Sequence, residues 1–242
     1  MGAVVLLHAL GVGAGMWSAQ ARTLTAAGHQ VFAPDQRGYG DVPLGDDPPS
    51  LDLVADDVVR GLDRAGVDRA VVAGSSMGGY VAMALLRRHP DRLAGLVLSA
   101  TRATADSPAV AAGRAELAVR IVDPRLDVLA RFVPPLLGAS SRPRLLATVR
   151  SMVAGVPRAT LAWSVRAVAC RPDSVDLLRA ASVPAVVIAG AQDELVAADE
   201  TRELAALLGG ASPLTVPDAG HLTPLEAPDV VTGVLAAVLA AV

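Results

Sequence analysis

The most constraining feature of this sequence is the segment from Val71 to Gly79, which reads Val-Val-Ala-Gly-Ser-Ser-Met-Gly-Gly. Its first residues are β-branched or small and apolar, a pattern typical of a strand that is buried on both faces. From Met77 to His89 the apolar residues recur every three or four positions, which predicts a helix. The strand and the helix are therefore joined by a very short corner, and this corner limits the size of the residues around it.

Gly74 and Gly78 flank Ser76 at the two positions where such a corner needs small side chains. Gly-x-Ser-x-Gly between a strand and a helix is the pattern of a nucleophile elbow, in which a strained turn exposes the serine hydroxyl above the sheet. The N-terminus of the following helix favours negative charge beside that hydroxyl. A glycine-rich turn after an ordinary buried strand would give the same letters, so the motif alone leaves that alternative open. Ser75 lies outside the register of the motif and is interpreted as a packing residue.

Composition excludes several classes of function. The chain has 242 residues, 52% of them hydrophobic, which is enough for one large α/β domain. The net charge of −3 gives no indication of a nucleic-acid partner. The sequence has no lysine, so mechanisms that need a lysine Schiff base or a phosphate-binding lysine are excluded. Its single cysteine, Cys170, cannot form an intrachain disulfide.

Neither end of the sequence predicts a targeting or membrane segment. The first residues lack a basic region before their apolar run, as a signal peptide would need. The apolar run at residues 230–242 is too short to cross a bilayer and suits a helix packed on a sheet. We therefore expect a cytoplasmic protein with no membrane partner.

Further strands are predicted on both sides of the elbow, with amphipathic helices between most of them. The apolar runs that predict these strands lie at residues 3–8, 30–33, 93–99, 184–189 and 213–216. Ser50 is the predicted N-cap of a helix whose apolar stripe runs from Leu51 to Leu62. Strands that alternate with helices predict the α/β class, with a mostly parallel sheet flanked by helices on both faces.

The alternation stops between residues 102 and 176. This segment is rich in alanine, leucine and arginine, has no convincing strand, and contains prolines at intervals typical of short helices. We expect a helical cap over residues 102–176, inserted into a core formed by residues 1–101 and 177–242. Six apolar side chains are candidates for a substrate pocket: Trp17, Phe132, Leu136, Trp163, Val196 and Leu222. The aromatic and leucine side chains of the cap could equally form the cap's own core.

The loop at residues 8–17 is rich in glycine and follows the first predicted strand. A strand, a glycine-rich loop and a helix also begin a dinucleotide-binding fold. In that motif the third glycine would fall on Met16 or on Ser18, depending on the starting glycine. The spacing therefore disfavours a nicotinamide or flavin site, and no cofactor is expected.

Main-chain N–H groups of such a loop can bind a developing oxyanion, together with the N–H of the residue after a nucleophile. In this sequence these donors would be the N–H groups of Leu10 and Met77. A plain turn is the alternative interpretation of the glycines. His8, at the end of the first strand, is interpreted as a structural histidine.

Ser76, Asp193 and His221 each follow the end of a predicted strand, in the order serine, acid, histidine. Active-site loops gather where parallel strands end, so we expect these side chains to converge. A serine hydroxyl is a poor nucleophile unless a neutral imidazole takes its proton, and the resulting imidazolium needs a carboxylate partner. We predict a catalytic triad of these three residues and no metal site. The alternative acids are Asp218, Glu194, Glu226 and Asp106.

These motifs resemble those of the α/β-hydrolase fold superfamily over nearly the whole chain. Within it, the sequence is most similar to the group that contains 3-oxoadipate enol-lactonases and small carboxylesterases. The resemblance rests on residues 8–11, Met16 with Trp17, residues 35–40, the elbow, residues 190–193 and residues 220–221. It departs at Ala9, where relatives usually have glycine.

The resemblance implies a serine hydrolase that cleaves a small carboxylic ester or lactone through an acyl-enzyme. Ser76 would be the nucleophile, His221 the base and Asp193 the acid, with Leu10 and Met77 as oxyanion donors. The partner would be a small-molecule substrate, and the protein a monomer or a homodimer. Two alternatives stay open: a cofactor-free perhydrolase or acyltransferase, and a ligand-binding protein that keeps a slow triad.

Overall fold

The computed structural model describes residues 1–126, 132–210 and 212–242. In these ranges six strands form one parallel sheet in the order β2-β1-β3-β4-β5-β6. The strands are β1 (Ala3–Leu7), β2 (Gln30–Phe32), β3 (Ala70–Ser75), β4 (Leu93–Ser99), β5 (Ala185–Gly190) and β6 (Leu214–Val216). Each predicted strand is present within about two residues of its expected ends, and the α/β class is confirmed.

The helices in the described ranges cover both faces of this sheet. They are α1 (Ser18–Ala26), α2 (Leu51–Arg64), α3 (Met77–Arg88), α4 (Pro108–Val122), α5 (Arg142–Ala154), α6 (Arg158–Ala169), α7 (Val175–Arg179), α8 (Ala198–Leu207), α9 (Thr223–Glu226) and α10 (Pro228–Ala240). Short 3-10 turns lie at Ala14–Trp17, Pro90–Arg92 and Pro134–Leu136. No helix in the described part of the chain is long and apolar enough to cross a membrane.

Successive residues of the central strands belong alternately to two buried clusters. In β1, Val5 and Leu7 pack with α2 and α3, whereas Val4 and Leu6 pack with α1 and α10. This alternation follows from the period of two along a strand. Both faces of the sheet are therefore dry, which explains why the strands are almost entirely apolar.

The helix α2 begins as the sequence predicts. The Ser50 hydroxyl accepts the N–H of Asp52 at 3.2 Å, which satisfies one of the free donors of the first turn. The predicted apolar stripe is buried against the sheet: Leu51, Val54, Val58 and Leu62.

The described residues between β4 and β5 form helices α4 to α7 and no strand. The helices α4 and α6 pack closely against each other. Residues 127–131 of the predicted cap lie outside the described residues. The helix α7 crosses residue 177, where we expect the core to resume, and the division into core and cap stays a prediction.

Candidate active site

Ser76 occupies a strained corner between β3 and α3. Its φ is 53° and its ψ is −114°, a backbone conformation that residues other than glycine rarely adopt. A Cβ atom on Gly74 would collide with the carbonyl of Gly78, and one on Gly78 would collide with the carbonyl of Leu7. Both glycines of the motif are therefore required by close contacts between backbone segments.

The structure brings the three predicted triad residues together. His221 Nε2 lies 2.8 Å from Ser76 Oγ. On its other side, His221 Nδ1 lies 3.0 Å and 2.9 Å from the two carboxylate oxygens of Asp193. The side chains of His221 and Asp193 are each only 4% exposed. One imidazole thus joins a hydroxyl to a carboxylate in a largely dry environment.

Asp193 is held as a carboxylate. Burial alone would raise its pKa, but the hydrogen bond from His221 and the N–H groups of Leu195 and Val196 hold the pKa below its ordinary value. Those two N–H groups donate to Oδ1 at 2.8 Å and 3.1 Å. An ionised Asp193 fixes the proton of His221 on Nδ1, so that Nε2 accepts the Ser76 hydroxyl.

The N–H groups of Leu10 and Met77 are available beside Ser76. Met77 is the first residue of α3, and Leu10 lies in the loop after β1. Among the described residues neither N–H has a hydrogen-bond acceptor. Both residues line the cavity that Ser76 and His221 also line. These two N–H groups are therefore the candidate donors of an oxyanion hole.

The loop that carries Leu10 is supported by residues of the loop after β2. Tyr39 Oη accepts the N–H of Gly11 at 3.1 Å and donates to Ser164 Oγ at 3.3 Å. Asp35 Oδ1 accepts the N–H of Ala14 at 2.7 Å. These contacts fix the main chain on the C-terminal side of Leu10.

His8 has the surroundings of a structural histidine, as predicted from its place at the end of the first strand. It is fully buried, and burial lowers its pKa to about 4. Its Nε2 accepts the N–H of Gln36 at 3.1 Å, so the proton lies on Nδ1, which donates to the carbonyl of Ala9 at 2.9 Å. The neutral ring therefore joins the end of β1 to the loop after β2.

The cavity at Ser76 has a volume of about 180 Å³. Three of the predicted pocket residues line it, namely Phe132, Leu136 and Val196. Its wall also includes Tyr80, from the helix that follows the elbow.

The other three predicted pocket residues do not line this cavity, so those predictions are wrong. Trp17 packs in the cluster formed with α1 and α10. Trp163, on α6, packs in the other buried cluster, and its indole N–H donates to the carbonyl of Asp47 at 3.0 Å. Leu222 is fully buried at the start of α9. All three are large apolar side chains, and a sequence pattern does not show whether such a side chain points into a cavity or into the core. That depends on the rotation of each segment about its own axis.

Two residues that sequence reasoning missed, Arg102 and Arg114, also line the cavity. Arg102 follows β4 closely, which is a position where an active-site residue is expected in a parallel sheet. Arg114 lies on α4, and nothing in the sequence distinguishes it from other arginines of the cap.

The alternative acids contact other groups in the described structure. Asp106 pairs with Arg114 and Arg171, Glu194 pairs with Arg142, and Asp218 accepts the hydroxyl of Ser140. The carboxylate of Glu226 is buried and accepts main-chain N–H groups. In the described ranges no group of three or more His, Cys, Asp or Glu side chains could hold a metal ion.

Comparison with known proteins gives the class. The model of the alpha/beta hydrolase family matches residues 4–234, and the chain belongs to this family. The resemblance noted in the sequence is thereby confirmed.

Solved structures extend the similarity over the whole chain. A thermophilic esterase from Thermogutta terrifontis, solved with malate bound, is 33% identical, with a TM-score of 0.94 over 100% of this chain and 90% of that one. The enol-lactonase from Burkholderia xenovorans LB400 is 29% identical, with a TM-score of 0.86 over 99% and 91%. Among curated proteins, the putative carbamate hydrolase RutD of Azorhizobium caulinodans is 41% identical over 106 residues, which are 43% of this chain and only 40% of that protein.

Proposed function

We propose that this protein is a serine hydrolase that cleaves a small carboxylic ester or lactone through an acyl-enzyme on Ser76. The observation that carries the proposal is the position of His221, whose two ring nitrogens contact Ser76 Oγ at 2.8 Å and Asp193 at 2.9 Å. Two N–H groups without acceptors among the described residues, those of Leu10 and Met77, lie at the same cavity.

In the acylation step, His221 Nε2 takes the hydroxyl proton while Ser76 Oγ attacks the carbonyl carbon of the substrate. The carbonyl oxygen becomes an oxyanion and accepts the N–H groups of Leu10 and Met77. Asp193 stabilises the imidazolium through Nδ1. The imidazolium then gives its Nε2 proton to the leaving alkoxy oxygen, the bond from the carbonyl carbon to that oxygen breaks, and the acyl group stays on Ser76.

In the deacylation step, water takes the place of the alcohol. His221 removes a proton from the water, whose oxygen attacks the acyl carbonyl carbon. The second oxyanion uses the same two N–H groups. As the acyl–Oγ bond breaks, the Nε2 proton returns to Ser76 and the carboxylic acid leaves.

Cavity size and relatives support a small ester or lactone. A volume of about 180 Å³ lies below the range of roughly 300–1,000 Å³ typical of ligand pockets. Similar proteins include an esterase with bound malate, an enol-lactonase and a pimeloyl-[acyl-carrier protein] methyl ester esterase from Aromatoleum aromaticum. These are hydrolases of acyl compounds, and the proposed chemistry at Ser76 is of the same kind.

The proposal is tested by labelling the folded protein with a fluorophosphonate probe and locating the adduct by mass spectrometry. We expect the adduct on Ser76 and steady turnover of a short-chain p-nitrophenyl ester. Ser76→Ala should remove labelling and lower kcat by roughly a millionfold, as in other complete triads. The matched control is Ser75→Ala, which removes the neighbouring buried hydroxyl. This variant should still be labelled by the probe and should keep the kcat of the wild type.

Three results would count against the proposal. A folded wild-type protein that is not labelled would exclude an activated serine, and an adduct outside Ser76 would exclude this nucleophile. A single burst of p-nitrophenol without later turnover would favour the ligand-binding alternative. A product from added hydrogen peroxide or alcohol that exceeds the hydrolysis product would favour acyl transfer.

A further inference from the structure

Two arginine side chains line the cavity in which Ser76 lies. Arg102 extends from the loop after β4, and Arg114 extends from α4. The side chains are 21% and 28% exposed, so water solvates them when the cavity holds no ligand. No aspartate or glutamate is among the described residues that line the cavity. Most of the remaining wall is apolar, with residues such as Leu117 and Val165. The cavity therefore combines positive charge with a small apolar volume.

Arg114 is held in one orientation by a buried carboxylate. Its Nε lies 2.6 Å from Asp106 Oδ2, and Asp106 is only 1% exposed. Arg171 NH2 lies 2.8 Å from the other oxygen of Asp106, and its guanidinium lies 4.1 Å above the ring of Tyr80. Burial would raise the pKa of Asp106, but the hydrogen bonds from Arg171 and Arg114 hold the pKa below its ordinary value. Asp106 therefore stays ionised and fixes Arg114 through Nε.

Asp106 contacts Arg114 through Nε, so the two terminal amino groups of Arg114 are left to bind another partner. Among the described residues, no acceptor contacts either of them. Two parallel N–H donors are the arrangement by which a guanidinium binds a carboxylate in a bidentate manner. The orientation of the group is already fixed by Asp106, so that little side-chain entropy would be lost on binding.

Arg102 adds a second positive charge from the sheet side of the cavity. Its NH1 lies 3.0 Å from Glu200 Oε1, and its NH2 donates to the carbonyl of Leu195 at 2.8 Å. Its buried Nε has no acceptor among the described residues. The N–H group of the same residue, Leu195, donates to Asp193 Oδ1. Arg102 is thus part of the framework of the triad, and its charge is only partly available to a ligand.

The described wall of the cavity includes two arginines and no carboxylate. The carboxylates of Asp106, Glu200 and Asp193 do not line it, and each is already paired with a side chain of the protein. In a cavity with mostly apolar walls, the attraction between opposite charges is stronger than in bulk water. A ligand that supplies a carboxylate is therefore favoured over a neutral ligand of the same shape.

We propose that the site selects esters or lactones that carry a second, free carboxylate, and that Arg114 binds this group through its terminal amino groups. The inference rests on the proposed function, because it assigns the substrate class of the same site. The scissile carbonyl would lie at Ser76, and the free carboxylate would lie under α4. The small cavity limits such substrates to short acyl chains.

The test compares two substrates that differ only in charge. Monomethyl succinate carries a free carboxylate, and methyl succinamate carries a neutral amide in its place. Turnover is followed by pH-stat titration, and kcat/KM is measured for each. For the wild type we expect kcat/KM to be roughly 10- to 100-fold higher for the charged ester, as a hydrogen-bonded ionic contact allows.

Three variants of α4 give the controls. Arg114→Gln should bring the ratio of the two kcat/KM values close to one, and Arg114→Lys should retain part of it because the charge stays while the bidentate geometry is lost. Arg120 lies on the same helix with an exposed side chain, so Arg120→Gln should leave the ratio unchanged. The ratio is insensitive to any loss of activity that both substrates share.

Each outcome decides one of the two proposals. Equal or better hydrolysis of the neutral ester by the wild type overturns the anion preference and leaves the proposed function standing. An unchanged ratio in Arg114→Gln overturns the role of Arg114. If neither ester is hydrolysed and Ser76 is not labelled, the proposed function fails, and the subsite is judged by calorimetric titration with succinate. Binding that is lost in Arg114→Gln supports the subsite, and absence of binding to the wild type overturns it.

Discussion

The carboxylate of Glu226 holds the chain on both sides of His221. One oxygen accepts the N–H of Gly220 and the other accepts the N–H of Leu222, each at 2.9 Å. The first oxygen also accepts the N–H of Gly138, at 2.8 Å, from the segment before α5. A buried carboxylate that accepts several N–H groups needs no cation beside it. Glu226 therefore fixes the position of the imidazole without touching it.

Glu226→Gln should weaken both stability and activity. The amide NH2 group cannot accept, so at least one of the buried N–H groups near His221 loses its partner. Hydrogen bonds to a charged group contribute about 1.5–3 kcal/mol each, and we expect a loss of that size in the free energy of unfolding. We also expect kcat to fall at least tenfold, because a shift of His221 alters its contact with Ser76. The measurements are urea denaturation and steady-state kinetics.

The control for this variant is Glu203→Gln, at an exposed position of α8. It makes the same chemical change without a buried partner. The free energy of unfolding and kcat should therefore stay unchanged. A Glu226→Gln protein with wild-type kcat would show that the hydrogen bonds of this carboxylate do not position His221.

Gly78→Ala tests the close approach of the elbow to β1. The added Cβ would collide with the backbone carbonyl of Leu7, which cannot move without disturbing the sheet. We expect a protein that is insoluble or unfolded at 25 °C. Gly233→Ala, in α10, meets no atom within 4 Å and should raise the free energy of unfolding by about 0.5–1 kcal/mol. A soluble Gly78→Ala protein with normal stability would contradict the proposed origin of the motif.

The sheet and the convergence of Ser76, Asp193 and His221 could be predicted because their signals are local. Strands buried on both faces are nearly continuous apolar runs, and the helices between them require a parallel sheet. Ser76, Asp193 and His221 each follow a strand, so the shared edge of the sheet brings them together. The size limits at Gly74 and Gly78 are equally local, since they arise from the corner itself.

The walls of the cavity could not be predicted in the same way. The side chains of Trp17 and Trp163 pack in different buried clusters, and the sequence of an alanine-rich helix leaves its rotation undetermined. The sequence has 21 arginines, and only the fold brings Arg102 and Arg114 to Ser76. Glu226 could be named only as an alternative acid, because its partners include main-chain N–H groups, and a sequence pattern does not show which side chain accepts such groups.

The stability of the protein should fall between pH 7 and pH 5 because of His8. Burial lowers the pKa of His8 to about 4, whereas an unfolded histidine titrates near 6.5. Between these values the unfolded chain binds more protons, so the free energy of unfolding decreases as the pH falls. The two pKa values correspond to a loss of about 2 kcal/mol between pH 7 and pH 5. Urea denaturation at several pH values measures this slope.

His8→Gln separates this contribution from those of other groups. The variant cannot titrate in this range, so the slope between pH 7 and pH 5 should become shallower even if the protein is less stable at both values. His29 is a partly buried histidine for which His29→Gln serves as the matched control. An unchanged slope in His8→Gln would mean that His8 is not the group responsible.

Ser76→Gly should be more stable than Ser76→Ala, although both lose the hydroxyl group. Each variant removes the hydroxyl that contacts His221, so the difference between them depends on the backbone. At a φ of 53° and a ψ of −114°, a Cβ atom imposes strain of roughly 1–3 kcal/mol that glycine avoids. Because glycine also gains entropy in the unfolded chain, we expect a net difference of about 1 kcal/mol in the free energy of unfolding.

The sign of this difference should reverse one residue earlier. Ser75 lies in β3 with an ordinary negative φ, so Ser75→Gly should be less stable than Ser75→Ala by about 0.5–1 kcal/mol. Urea denaturation of the four variants gives both differences under the same conditions. If glycine were less stable than alanine at both positions, Ser76 would carry no strain, and its exposed hydroxyl would have to be explained without a strained turn.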